Sequence, residues 1–114
     1  MRNAPKAPRP ASLQGDVFAF TNPLTDDAGA RVGTLHAHCV TTVGARDFRR
    51  STLTCTVTLH LRDGDLMGQT DLRPMSDTVT GAVTGGTGAY ANARGVVVSK
   101  AGRSGSTDTI TLVG

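Results

Sequence analysis

From Leu53 to Leu61 the chain alternates with a period of two. Leu53, Cys55, Val57, Leu59 and Leu61 make one set; Thr52, Thr54, Thr56, Thr58 and His60 make the other. Successive side chains of a strand point to opposite faces, so this pattern predicts a strand with one apolar and one polar face. The run before it carries Leu35, Ala37 and Cys39 at the same period. The two runs, Arg31–Val43 and Ser51–Leu61, read as a hairpin. If Cys39 lies opposite Cys55, Ala37 faces Val57 and Leu35 faces Leu59. Both apolar sets then share one face, which makes the register self-consistent.

Five further strands follow from the same pattern and its punctuation. Asp16–Asn22 carries Phe18 and Phe20 on one face, and Asn22-Pro23 is read as its end. Asp26-Asp27-Ala28-Gly29 is a turn. Arg62-Asp63-Gly64-Asp65 is a hairpin turn leading into Gly64–Arg73, which Pro74 closes. Thr78–Thr84 and Ala93–Lys100 are β-branched runs joined by a glycine-rich turn, Gly85-Gly86-Thr87-Gly88. Thr107–Val113 ends the chain, with Ile110 and Leu112 on one face. Seven short strands with tight turns predict an all-β fold, an antiparallel up-and-down β-barrel of seven to eight strands, over residues 15–114. Residues 1–14, basic and rich in proline, are read as a disordered tail.

Composition narrows the function classes. The 114 residues hold no Trp, one Tyr and three Phe, and all nine acidic residues are Asp. The formal charge of +3 comes from Arg2, Lys6 and Arg9 in the tail; the remainder balances nine basic against nine acidic residues. Arg46, Arg49 and Arg50 cluster in one hairpin loop and read as solvated. With stacking aromatics also scarce, no nucleic-acid partner is expected. No stretch is long enough to span a membrane, and no apolar signal segment is visible near the start. The glycine-rich turn lacks the Gly-Lys-Ser/Thr of a phosphate loop, and valines rather than a helix follow it.

Two constellations could carry chemistry. His36 and His38 share a face, with His60 diagonal on the neighbouring strand. This is the threonine-rich outer face, with no carboxylate evident beside it to orient an imidazole, so no metal site is expected. Cys39 and Cys55 fall side by side, either as a disulfide or as two buried thiols. Nothing resembles a Ser-His-Asp arrangement, and no cofactor is implied.

Gly85-Gly86-Thr87-Gly88, followed by Asn92-Ala93-Arg94-Gly95, resembles the signature of dirigent proteins and bacterial allene oxide cyclase-like proteins. Phe18-Ala19-Phe20-Thr21-Asn22-Pro23-Leu24-Thr25, with Val32-Gly33-Thr34 downstream, is similar to that family's opening hairpin. The resemblance covers Asp16 to Leu112. It implies an eight-stranded barrel, often secreted and trimeric, with an internal ligand cavity, and it favours the Cys39–Cys55 disulfide. One strand usual upstream of the first block is not recognisable, and a gap there would leave an edge free to pair with another chain. The implied activity is a cyclase or isomerase of specialised metabolism. It would close a ring in an apolar polyene, polyketide or oxidised lipid by holding one conformation. Arg94 matches the family arginine, and Asn22 stands where dirigents carry an acidic residue; these two are the candidate catalytic residues. Phe18, Phe20, Leu35, Leu59 and Tyr90 are the candidate ligand-binding residues. The alternative is a non-catalytic secreted barrel that binds an apolar small molecule or serves as a structural module. A homo-oligomer, dimer or trimer, fits either reading.

Overall fold

The computed structural model describes residues 11–102 and 105–113. Seven strands follow in chain order: β1 Val17–Thr25, β2 Arg31–Val43, β3 Thr52–Leu61, β4 Gly64–Leu72, β5 Thr78–Gly86, β6 Gly95–Gly102 and β7 Gly105–Leu112. All pair antiparallel with their chain neighbours in a single sheet, β1 through β7 in order. The sheet curls into a half-barrel, the architecture the alternation predicted. Among the described residues, β1 and β7 are not paired with each other, so one side of the curl is open.

The hairpin register is the one the alternation demanded. Cys39 pairs with Cys55, Ala37 with Val57 and Leu35 with Leu59. The Cα atoms of the cysteines lie 4.0 Å apart and their sulfurs are bonded. Burial at 0% and 3% exposure puts the bridge on the inner face.

Two sequence expectations need correction. The first strand does not end at Asn22-Pro23; β1 runs through Pro23, opposite Thr34. An edge strand tolerates proline because its outward-facing amides have no ladder partner to lose. Of the tail assigned to residues 1–14, residues 1–10 lie outside the described residues, but residues 11–14 are held in place. Ser12 and Ala45 exchange two backbone hydrogen bonds of 2.9 Å, and Gly15 N–H donates to Thr41 C=O at 2.9 Å. Ser12 is 2% exposed, its hydroxyl 3.1 Å from that of fully buried Thr41. This segment crosses the end of the half-barrel near the β2–β3 turn. Replacing Thr41 by Val keeps the shape and orphans the Ser12 hydroxyl; a loss of about 1–2 kcal/mol is expected in urea unfolding.

The glycine-rich motif has a packing role. After β5 the chain makes a short 3-10 turn, Gly88–Tyr90, that lies against the β3–β4 turn. Thr87 N–H donates to Asp65 C=O at 2.9 Å and Ala89 N–H to Asp63 C=O at 2.8 Å. Gly88 has φ +61°, and a Cβ there would meet the Asp63 carbonyl at 2.5 Å. A Cβ on Gly86 would strike the Asp65 and Tyr90 carbonyls. Two backbones approach so closely that only glycine fits.

The core consists of two clusters at opposite ends of the inner face. Leu59, Leu66, Val83 and Ala93, with Tyr90 packed against them, fill the end near the β3–β4 turn. Cys39, Leu53 and Cys55, with Phe18 and Phe48, fill the end near the β2–β3 turn. Val57 touches both clusters, and a trough lies between them.

Candidate functional site

The period of two sets what the concave face presents. Phe20 and Asn22 come from β1, Leu35 and Ala37 from β2, and Val57 and Leu59 from β3. On the far side, Val83 comes from β5, Val97 from β6 and Ile110 from β7. The middle of the trough is built from small residues, Ala37, Gly68 and Gly81. Larger side chains there would fill it; as it stands the trough measures about 250 Å³. That is near the lower end of small-ligand sites, roughly 300–1,000 Å³. Phe20 is 42% exposed although it points inward, because no strand covers the open side beside β1.

Polar groups in the trough are few. Asn22, Gln69, Thr70, Ser99, Ser106 and Asp108 contribute them. The Thr70 hydroxyl is already engaged, donating to the Thr80 carbonyl at 3.1 Å. Asp108 is the one ionisable side chain among the described lining residues. Its Oδ1 is shut off from solvent and has no hydrogen-bond partner among the described residues. Such an oxygen costs its lost solvation, about 1–3 kcal/mol or more for a charged group. Unsatisfied buried polar groups are few in native proteins, and function is one of their explanations.

The sequence-based candidates divide. Asn22, Phe20, Leu35 and Leu59 come together in the trough. Phe18 lies on the same face but packs edge-on against Phe48, with ring centres 5.3 Å apart, in the end cluster. Tyr90 packs beneath Leu59 and Leu66 from the 3-10 turn and lines no part of the trough. Arg94 is exposed and outside it; its backbone carbonyl accepts from Val113 N–H at 2.7 Å. Asp108 was not among the candidates. It shares the inner face of β7 with Ser106 and Ile110, so the alternation that placed Ile110 inside also placed Asp108 there.

The outer-face histidines differ from expectation in one respect. His36 and His60 meet edge to face at 4.6 Å between ring centres. A carboxylate does lie beside them: His60 Nδ1–H donates to Asp65 Oδ1 at 2.9 Å, across the β3–β4 pair. Sequence spacing missed it because the β3–β4 register, which sets Asp65, the second residue of β4, opposite His60, was not worked out. Among the described residues no group of three or more His, Cys, Asp or Glu side chains is placed to hold a metal ion. In the β2–β3 loop, Arg49 is spent on Asp47, with Nη2 2.9 Å from Oδ2; this raises the pKa of the guanidinium by hydrogen bonding and charge. No helix among the described residues is long and apolar enough to cross a membrane.

No family model and no curated protein sequence matches the chain. Its fold is similar to a solved structure described as a pyocyanin demethylase. The two are 28% identical with a TM-score of 0.73, over 88% of this chain and 81% of that one. The likeness is therefore to a barrel-like protein named for an activity on a small molecule. It does not extend to a match with the allene oxide cyclase-like family.

A trough built around small residues is easily closed. Ala37→Leu, on its floor, should cost about 1–3 kcal/mol of stability by overpacking. Urea unfolding of wild type and variant checks it.

Proposed function

We propose that the half-barrel binds a small, largely apolar, ring-bearing molecule on its concave face and transforms it by proton transfer at Asp108. The observation that carries this reading is Asp108, the one ionisable side chain among the described residues that line a mostly apolar trough. A carboxylate held near the reacting atom serves as general acid or base, an effect of roughly 10²–10⁴ in rate. Phe20, Leu35 and Leu59 would pack against the ring system. The Asn22 amide offers both a donor and an acceptor to a ligand oxygen or nitrogen. Arg94, exposed and away from the trough, has no part in this scheme.

The reaction to test first is removal of a methyl group, because the neighbour of known structure is named as a pyocyanin demethylase. To balance, one water is consumed, the methyl carbon leaves as formaldehyde, and the ring keeps the electron pair as the reduced phenazine, with Asp108 moving the proton. Purified protein would be incubated with pyocyanin and the products weighed by mass spectrometry. Formaldehyde together with a demethylated product, lighter by one carbon as the reduced ring or by CH₂ once reoxidised in air, formed by the wild type and lost in Asp108→Asn, supports the reading. Unchanged pyocyanin sinks the demethylase assignment. The second reading is ring closure of an uncharged polyene, polyketide or oxidised lipid, the activity implied by the resemblance to allene oxide cyclases and dirigents. It is favoured by the trough's apolar walls, which could hold one folded conformer. Its product would be an isomer of unchanged mass. A homo-oligomer that covered the open side beside Phe20 would complete the enclosure under either reading, and size-exclusion chromatography tests it.

A further inference from the structure

We propose that the concave site selects its ligand by charge: it takes a flat apolar molecule bearing a cationic or hydrogen-donating nitrogen, held against the Asp108 carboxylate, and refuses one bearing an anionic group. This rests on the reading that the trough binds a small molecule, and adds the charge class of that molecule.

The argument starts from what lines the wall. Asp108 pairs with Ser99, and Ser99 pairs with Val79, so one row across β5, β6 and β7 reads Val79, Ser99, Asp108. The next row reads Gly81, Val97, Ile110. A flat ring laid over Gly81, Val97 and Ile110 would bring its rim to Asp108. Its body would meet aliphatic side chains and one bare stretch of backbone. Its rim would meet the Asp108 carboxylate, the one ionisable group among the described lining residues.

The sign of the charge follows. Among the described lining residues there is no Lys, Arg or His to balance a bound anion. Arg94 and Lys100, on the neighbouring strand and its approach, are exposed and line no part of the trough. A carboxylate or sulfonate on the ligand would face Asp108 in a weakly polar setting, where like charges repel strongly and salt screens little. A ligand cation is attracted to the carboxylate by charge, and a ligand N–H makes a charge-assisted hydrogen bond to it. Free fatty acids and their oxidised derivatives are thereby set aside; an oxidised lipid fits only without its charged headgroup.

The test uses three probes of one ring size: N-methylacridinium, neutral acridine and acridine carboxylate. Each is titrated by fluorescence into the wild-type protein at a pH where acridine is uncharged. The expected order is N-methylacridinium tightest and the carboxylate weakest, separated by at least about tenfold. In Asp108→Asn that separation should shrink to about threefold or less. Far-UV circular dichroism reports whether the variant is folded, and the wild-type order stands as a test without it. Equal affinity for the two charged probes, with acridine bound, overturns the charge selection and leaves the binding site intact. A full preference persisting in the variant overturns the role of Asp108. Binding of none of the three overturns both the selection and the binding site.

Discussion

The double variant Cys39→Ala, Cys55→Ala loses about 3 kcal/mol of unfolding free energy. The bridge joins residues 16 apart in sequence. Restricting the unfolded chain over a loop of that length is worth roughly 3 kcal/mol in the chain-entropy account. The pair also sits in the end cluster against Leu53, Phe18 and Phe48, so removing two sulfurs leaves a void there. For a domain of about this size the thermal midpoint should fall by roughly 12–24 °C. Thermal and urea unfolding of wild type and variant under oxidising conditions measures it. A loss below about 1 kcal/mol would mean the bridge constrains nothing that the register does not already fix.

Leu66→Ala should be comparably costly, at about 3 kcal/mol, within the usual range for leucine truncation in a packed core. Leu66 is 4% exposed, pairs across strands with Leu59 and packs with Val83 and Ala93. This cluster seals one end of the trough, and the 3-10 turn carrying Tyr90 lies against it. The matched control is Val96→Ala, on the outer face and 46% exposed, where about 0.5 kcal/mol or less is expected. Equal losses in the two variants would place the core on the wrong face.

The inner face was legible because one strand, Leu53–Leu61, alternates without exception. Fixing that strand fixed its partner through the shared apolar set, and with it the contact between the cysteines. The extent of β1 was not legible. Proline normally stops a strand, and only its position at an edge explains why Pro23 does not. The histidine–aspartate contact was missed because the strand from Gly64 was not set in register against β3, and only that register places Asp65 opposite His60.

The site was half legible. Residues whose role is to be apolar and inward, Phe20, Leu35 and Leu59, followed from the pattern alone. Arg94 was drawn in by motif similarity, and motif similarity does not specify where a side chain points. Its neighbour Ala93 is buried, whereas Arg94 is exposed. Asp108 was passed over because a lone Asp on a threonine-rich closing strand looks like solvated surface. Its parity with Ile110 was the available signal. What parity could not show is that the sheet curls enough to shut Oδ1 away from water.

The most direct test of the central claim is an amide chemical-shift titration of isotope-labelled protein with pyocyanin. The account predicts shifts concentrated on the inner face, at Gly68, Gly81, Ser99 and Asp108, with Thr56 and Thr58 on the outer face unmoved. Shifts confined to the outer face around His36, or no shifts at all, would contradict it.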